Sequence, residues 1–115
     1  MDHLSLEFIG RQNIDLFVSQ LELESDARLR SSLQRRLVDE ANRFGRLSER
    51  VEVMDQYIRR AGTRIIEQKR CVEKLQRVGA DVALAKRALA NFEELHQVLL
   101  GCRQTVLGTH NPAHG

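Results

Sequence analysis

The sequence predicts an all-α protein, and three observations favour that fold class. Only one proline occurs in 115 residues, and the aromatic residues are four Phe and one Tyr, with no Trp. Charged residues make up 30% of the chain, a composition typical of long helices rather than of a sheet or barrel. The third observation is a long apolar repeat at alternating steps of three and four residues, which indicates a helix of coiled-coil type.

The apolar repeat runs from Leu33 to Leu75 and fills two heptad columns, with polar interruptions only at Glu40 and Gln68. The columns are Leu37, Phe44, Val51, Ile58, Ile65, Val72 and Leu33, Glu40, Leu47, Met54, Ala61, Gln68, Leu75. Two interruptions in six heptads predict one long amphipathic helix.

This central helix is expected to begin near Asp26 and to end near Val78. Gly45 and Gly62 each cost about 1 kcal/mol relative to Ala in a helix interior, but the stripe keeps its phase across Gly45. Acid-first pairs four residues apart also support a continuous helix. They are Asp39/Arg43, Asp55/Arg59 and Glu73/Arg77.

A first helix is predicted from Gly10 to about residue 23. Its apolar face contains Ile14, Phe17, Val18 and Leu21, and Leu23 lies off that face. Residues 1–9 form an N-terminal segment that fits either an extended strand or fraying helix. A turn near residues 24–26 follows, because Ser25 and Asp26 both suit the first position of a helix.

A third helix is predicted from Val82 to about Leu107. Gly79 suits the left-handed position that ends a helix, and Asp81 suits the cap of the next. The apolar stripe of this helix is Ala85, Ala88, Phe92, Leu95, Leu99, Cys102, Val106. The expected organisation is a single three-helix coiled-coil domain over residues 10–107 and a disordered tail over residues 108–115.

The predicted architecture is elongated, with antiparallel helical hairpins formed on one long central helix. The two shorter helices fold back over its ends, so Phe44, Leu47 and Val51 are left uncovered if it is straight. An exposed apolar stripe normally marks an interface. Together with Met54, these residues are the predicted interface, and the simplest partner is a second copy related by a twofold axis. A helix of another protein is the second possible partner.

The residues that carry catalysis or bind metals do not form recognisable sets. No Ser/His/Asp arrangement, Gly-rich phosphate loop or metal-ligand spacing is discernible, apart from the tail pair His110 and His114. His96 lies on a predicted helix, as the acceptor of histidine phosphotransfer domains does, but Leu99 and Leu100 stand where that motif has Lys and Gly. We therefore expect no enzyme, no cofactor, no metal and no small-molecule substrate.

The two cysteines, Cys71 and Cys102, are not expected to pair. In a hairpin with its apex near residue 80, they are about 20 Å apart along the helix axis, beyond the reach of a disulfide. We expect Cys102, which lies on the apolar stripe, to be a core residue.

The net charge of +2 is unevenly distributed, and arginine outnumbers lysine fifteen to three. Residues 1–25 carry −4, whereas residues 26–78 carry +6. Arginines that could neutralise phosphates are Arg35, Arg36, Arg43, Arg46, Arg50, Arg59, Arg60 and Arg64. Interspersed acids and the lack of stacking aromatics make nucleic acid the alternative partner rather than the expected one. No apolar run approaches membrane length and no signal peptide is recognisable, so a cytoplasmic location without membrane contact is expected.

Three stretches between residues 13 and 107 carry a resemblance. They are Asn13-Ile14, Phe17, Leu21, Glu24-Ser25-Asp26 and Arg30; then Leu33, Leu37, Glu40 and Asn42-Arg43-Phe44-Gly45; then Ile65, Glu67-Gln68-Lys69, Val72, Leu75, Gly79, Asp81, Ala88-Leu89-Ala90 and Asn91-Phe92-Glu93-Glu94. In these the chain resembles uncharacterised small helical coiled-coil proteins of alphaproteobacteria. Where that family often has a Glu-Glu-Glu run, this chain has Asp39-Glu40-Ala41. The resemblance implies a helical architecture and a bacterial origin, and no activity.

The function that the sequence favours is non-enzymatic protein–protein interaction, as a coiled-coil adaptor or regulatory subunit. The alternative is a nucleic-acid-associated basic coiled-coil protein.

Overall fold

The computed structural model describes the backbone of residues 3–43 and 45–109, and the side chains of residues 9–43 and 45–108. Within these residues the chain is all-helical, as predicted, and contains no strand. The helices are α1 (His3–Leu23), α2 (Ala27–Arg43), α3 (Leu47–Arg77) and α4 (Ala83–Thr109).

The predicted three-helix arrangement is wrong in one respect, because the central helix is divided into α2 and α3. Gly45 has a φ of 55°, a left-handed conformation that glycine adopts without a steric penalty. Arg46 is extended, and α3 begins at Leu47. The break costs the hydrogen bonds of a few helical residues. In return it lets the chain cover Leu47 and Met54 with its own core, worth about 1.5–3 kcal/mol for each large side chain.

The local ion pairs that favoured a continuous helix are mostly absent. Only Glu73 and Arg77 approach each other, at 4.0 Å. Arg43 pairs instead with Glu40, at 3.4 Å. Asp55 pairs with a residue of another helix, accepting a 2.7 Å hydrogen bond from Nε of Arg103. Of the three predicted pairs, one is thus kept at long range, one gives way to a pair three residues apart, and one gives way to a pair between α3 and α4.

The predicted turns are confirmed. Residues 24–26 are non-helical, and Oδ1 of Asp26 accepts hydrogen bonds from the backbone N–H groups of Arg28 (2.9 Å) and Leu29 (3.1 Å). At the other turn Gly79 has a φ of 70°. Oδ1 of Asp81 accepts a 3.0 Å hydrogen bond from the N–H of Ala83, which caps α4 as expected.

The four helices form two antiparallel hairpins, α1–α2 and α3–α4, and α4 contacts the other three helices. Helix α1 runs in the same direction as α3. Asp15 contacts Tyr57. Seven residues later on both helices, Glu22 contacts Arg64. The molecule measures 54 × 32 × 24 Å.

The core is built from one apolar face of each helix. Leu95, Leu99, Cys102 and Val106 of α4 are at most 1% exposed, which confirms this part of the predicted stripe. The other members of the core cluster are Ile14, Val18, Leu21, Leu37, Ala41, Val53, Met54 and Ala61. Gln68, one of the polar interruptions of the heptads, uses its side-chain amide to donate a 3.0 Å hydrogen bond to the carbonyl of Ala85. A polar seam residue therefore joins α3 to α4.

The first and last helices are longer than the sequence suggested. Helix α1 begins at His3, so residues 3–9 belong to it rather than to a separate segment. Helix α4 includes Gly108 and Thr109, and residues 110–115 of the predicted tail lie outside the described residues.

Candidate functional site

The turn between α1 and α2 is attached to the bundle by a buried arginine. Arg30 is 6% exposed, and its Nη1 donates to the carbonyl oxygens of Leu21 and Glu24. Its Nε donates a 3.2 Å hydrogen bond to Glu94 on α4. The side-chain amide of Asn91 also donates to the carbonyl of Glu24, at 3.3 Å. These contacts hold the end of the α1–α2 hairpin at the level of residues 91–94 of α4.

Two acidic side chains of α1 attach it to α3. Glu22 is 8% exposed, and one of its carboxylate oxygens accepts a 3.0 Å hydrogen bond from Arg60. Nε of Arg64 lies 2.7 Å from the other oxygen, as an ion pair without hydrogen-bond alignment. One heptad earlier, Asp15 accepts a 2.8 Å hydrogen bond from the hydroxyl of Tyr57. Burial and this hydrogen bond raise the pKa of Tyr57 well above its usual value.

The α3–α4 hairpin continues beyond the α1–α2 turn. We call its residues 65–90 the tip. Helix α1 ends at Leu23, next to the Glu22–Arg64 pair, whereas α3 continues to Arg77. Thirteen further residues of helix extend about 20 Å at 1.5 Å per residue. In the tip, Val72 is the one buried apolar residue that the structure describes, so its two helices have apolar flanks that neither α1 nor α2 covers.

A recess lies where the tip meets the α1–α2 turn, and we call it the junction recess. It has a volume of about 280 Å³. Its lining residues are Glu22, Leu23, Ser25, Leu84, Arg87, Ala88 and Asn91. Leu23 is 85% exposed and Leu84 is 76% exposed. The sequence contained a weak signal for this site, because both leucines lie off the core-facing stripe of their helices.

The tip carries a positive charge that is mostly unpaired among the described residues. Residues 65–90 contain six Lys or Arg, including every lysine of the protein, against three Asp or Glu, giving +3. Arg77 lies 4.0 Å from Glu73. Five cations make no ion pair with any residue that the structure describes; they are Lys69, Arg70, Lys74, Lys86 and Arg87.

The described residues of the predicted interface pack against the core of the chain rather than forming an open stripe. Met54 is fully buried, and Leu47 and Val51 are partly buried and packed against the core cluster. Phe44 lies outside the described residues. The prediction assumed a straight central helix with an uncovered stripe, and the break at Gly45 removes that assumption. Self-association through these residues stays a prediction, but the uncovered stripe of a straight central helix no longer supports it.

A second groove, of about 580 Å³, lies between α2 and α4. Val38, Val98 and Gly101 line it, together with Ser31, Gln34, Arg35, Asp39, Cys102 and Thr105. Cys102 itself is 1% exposed, and burial raises its thiol pKa to about 11. It is therefore an unreactive core residue, as expected. Both cysteines are free, and Cys71 is exposed on the tip.

The arginines of the nucleic-acid hypothesis do not follow one straight helix, because the break at Gly45 separates them between α2 and α3. Several also have partners within the chain. Arg60 and Arg64 contact Glu22, Arg43 contacts Glu40, and Arg50 donates a 3.0 Å hydrogen bond to the carbonyl of Gly45. The continuous basic stripe that the sequence suggested is thus interrupted.

In the part of the chain that the structure describes, no group of three or more His, Cys, Asp or Glu side chains is arranged to hold a metal ion. None of the helices described is both long and apolar enough to cross a membrane. Comparison with protein-family models, curated proteins and solved structures gives no significant match.

Proposed function

We propose that this protein is a non-enzymatic protein–protein interaction module, a coiled-coil adaptor or regulatory subunit. Its binding surface is the tip together with the junction recess. The observation that carries the proposal is the difference in length between the two hairpins. The shorter hairpin leaves Leu23 and Leu84, 85% and 76% exposed, in the same recess.

The energetics of this recess favour a partner. Burying a large aliphatic side chain contributes about 1.5–3 kcal/mol, and two exposed leucines in one recess form an apolar patch of the kind that marks an interaction site. The surrounding surface is already organised, because Arg30 and Asn91 attach the α1–α2 turn to α4. A partner would therefore bind a preformed surface, which reduces the entropy lost on binding.

Site-specific photo-cross-linking in the native cell tests the proposal. A photoreactive residue replaces Leu84, and a matched control replaces Leu107. The control residue has the same type and lies on the same helix, 40% exposed and about 35 Å away along the axis. We expect a discrete cross-linked product from position 84 that is absent at position 107. Equal products at both positions, or none at position 84, would contradict the proposed surface.

The predicted homodimer is tested by the same experiment. A product of twice the chain mass from position 84 would identify a second copy on the tip. Light scattering at tens of micromolar addresses the earlier surface of Phe44, Leu47, Val51 and Met54. A dimer that a charge at Leu47 dissociates without unfolding the chain would support that surface.

The nucleic-acid alternative keeps one supporting observation, the unpaired cations of the tip. Binding of this kind falls steeply between low and physiological salt, so a duplex DNA titration at two salt concentrations separates it from a protein interface. A cytoplasmic location and an alphaproteobacterial origin complete the proposal, and both rest on sequence patterns. Immunofluorescence against a cytoplasmic marker tests the location.

A further inference from the structure

We infer that the partner segment is an acidic amphipathic helix, which lies along the tip end to end with α1 and continues its line. The inference rests on the proposed function and specifies the chemistry of the partner. Three features carry it. The first is the way α1 itself binds the α3–α4 hairpin. The others are the heptad register and the charge of the faces that α3 and α4 present to α1, which we call the two walls, where they continue past the end of α1.

Helix α1 shows what kind of helix this groove binds. Helix α1 carries three acidic residues and one basic residue, a net charge of −2, and places Ile14, Val18 and Leu21 in the core. Its acids Asp15 and Glu22, one heptad apart, contact α3. An acidic amphipathic helix therefore already packs against the part of the α3–α4 hairpin that lies outside the tip.

The wall that α3 presents to α1 continues into the tip. Tyr57 and Arg64 face α1, and the same heptad position is next occupied by Cys71 and then by Val78. Arg60 also faces α1, and its position recurs at Glu67 and then at Lys74. Val78 is 77% exposed and Cys71 is exposed. Beyond the end of α1, α3 and its C-cap residue Val78 thus offer an apolar side chain, the thiol of Cys71 and the opposite charges of Glu67 and Lys74.

The wall that α4 presents to α1 continues in the same way. Asn91 faces α1, since its side-chain amide donates a 3.4 Å hydrogen bond to the carbonyl of Glu22. One heptad closer to the turn, the same position is Leu84, with Arg87 and Ala88 between them in the junction recess. The groove that holds α1 therefore extends past its end with an apolar floor and a cationic edge.

Charge selects the occupant. The tip carries +3, and neither Lys74 nor Arg87 makes an ion pair with the described residues, so acids on the bound helix would take the place that Glu22 occupies below. A second copy would bring a tip of the same sign, which like-charge repulsion disfavours. A nucleic acid would neutralise the cations but would leave Leu23, Leu84 and Val78 without apolar contacts.

A designed peptide serves as the probe. It is a helix of about three heptads with Leu at the a and d positions and Glu on the flanking positions, and its matched control has Lys in place of Glu. We expect the acidic peptide, followed by fluorescence anisotropy, to bind the full chain, and the basic peptide not to bind. The acidic peptide should also slow the alkylation of Cys71, which lies on the α3 wall, because the bound helix covers the thiol.

Charge reversal makes the test independent of loss of folding. The double variant K74E/R87E should weaken binding of the acidic peptide by about tenfold or more, from lost pairs and new repulsion, and should bind the basic peptide that the wild type rejects. Leu84→Glu should abolish binding, whereas Leu107→Glu should leave it unchanged. Circular dichroism melts verify that each variant is folded.

The failures of the two proposals are distinguishable. A specific cross-link at position 84 without binding of the acidic peptide would overturn the acidic helix and keep the interaction surface. Equal binding of both peptides would show simple hydrophobic association and overturn the charge argument. Tighter binding of a duplex DNA than of the acidic peptide, lost in K74E/R87E, would replace the helix with nucleic acid.

Discussion

Replacing Arg30 by Met should destabilise the protein, because the α1–α2 turn depends on this guanidinium. Methionine keeps most of the side-chain volume but cannot donate a hydrogen bond. The carbonyl of Glu24 keeps a hydrogen-bond donor in Asn91, so the main loss is the hydrogen bond from Arg30 to the carbonyl of Leu21. The Glu94 carboxylate is 50% exposed, so its pair with Arg30 contributes at most about 1 kcal/mol.

The expected loss is about 2 kcal/mol. Leaving a buried acceptor without its charged donor costs about 1–3 kcal/mol. Removing Nη2 of Arg30, which is buried without a hydrogen-bond partner among the described residues, recovers part of that cost. With an m value of about 1.5 kcal/mol/M for a domain of this size, the urea midpoint should fall by about 1.3 M.

Urea unfolding followed by circular dichroism measures this shift, and two variants control it. Arg28→Met changes an exposed arginine on the same helix and should alter stability by less than about 0.5 kcal/mol. Arg30→Lys keeps the charge but loses the forked geometry, and should fall between the wild type and Arg30→Met. A midpoint for Arg30→Met within about 0.3 M of the wild type would refute the role given to Arg30.

Three further predictions follow from single residues. Gly79→Ala should destabilise the fold by roughly 1 kcal/mol because φ at Gly79 is 70°. Gly62→Ala lies in a helix with nothing within 4 Å of the added Cβ, so it should stabilise the fold by up to about 1 kcal/mol. Thermal melts of the two variants measure the direction of each change in stability. At pH 8, iodoacetamide should modify Cys71 in the native protein and Cys102 only in denaturant, since Cys102 is buried with a pKa of about 11; equal rates in the native state would contradict this. The pKa of Tyr57 is raised in the folded state. The stability that the protonated hydroxyl contributes is therefore fully present below the unfolded pKa of about 10 and is lost as the pH rises beyond it. Tyr57→Phe should flatten this decline of stability at alkaline pH.

The helices and their turns could be predicted from the sequence because their causes are local. Asp26, Gly79 and Asp81 act on backbone groups within three residues, and the apolar periodicity identifies the face of each helix. The break at Gly45 could not be predicted in this way. The apolar stripe keeps the same phase whether α2 and α3 are collinear or folded back. Which of the two arrangements forms depends on how much of the apolar surface of α2 and α3 is covered by α4.

The candidate site was less accessible to sequence reasoning than the fold. Arginine is normally a surface residue, and the burial of Arg30 follows from the two backbone carbonyls that the α1–α2 turn directs at it. Leu23 and Leu84 could be recognised only as leucines off the core-facing stripes. Their common recess depends on where the α1–α2 hairpin ends along α4, which is a property of the tertiary structure.

Amide NMR of the ¹⁵N-labelled full chain, titrated with the acidic amphipathic peptide, tests most directly whether the tip is the binding surface. The predicted result is a set of shift changes at Leu23, Val78, Leu84 and Ala88, with Gly101 in the α2–α4 groove unaffected. Shift changes centred on Gly101, or on Leu47 and Val51, would place the binding surface elsewhere and contradict the proposal.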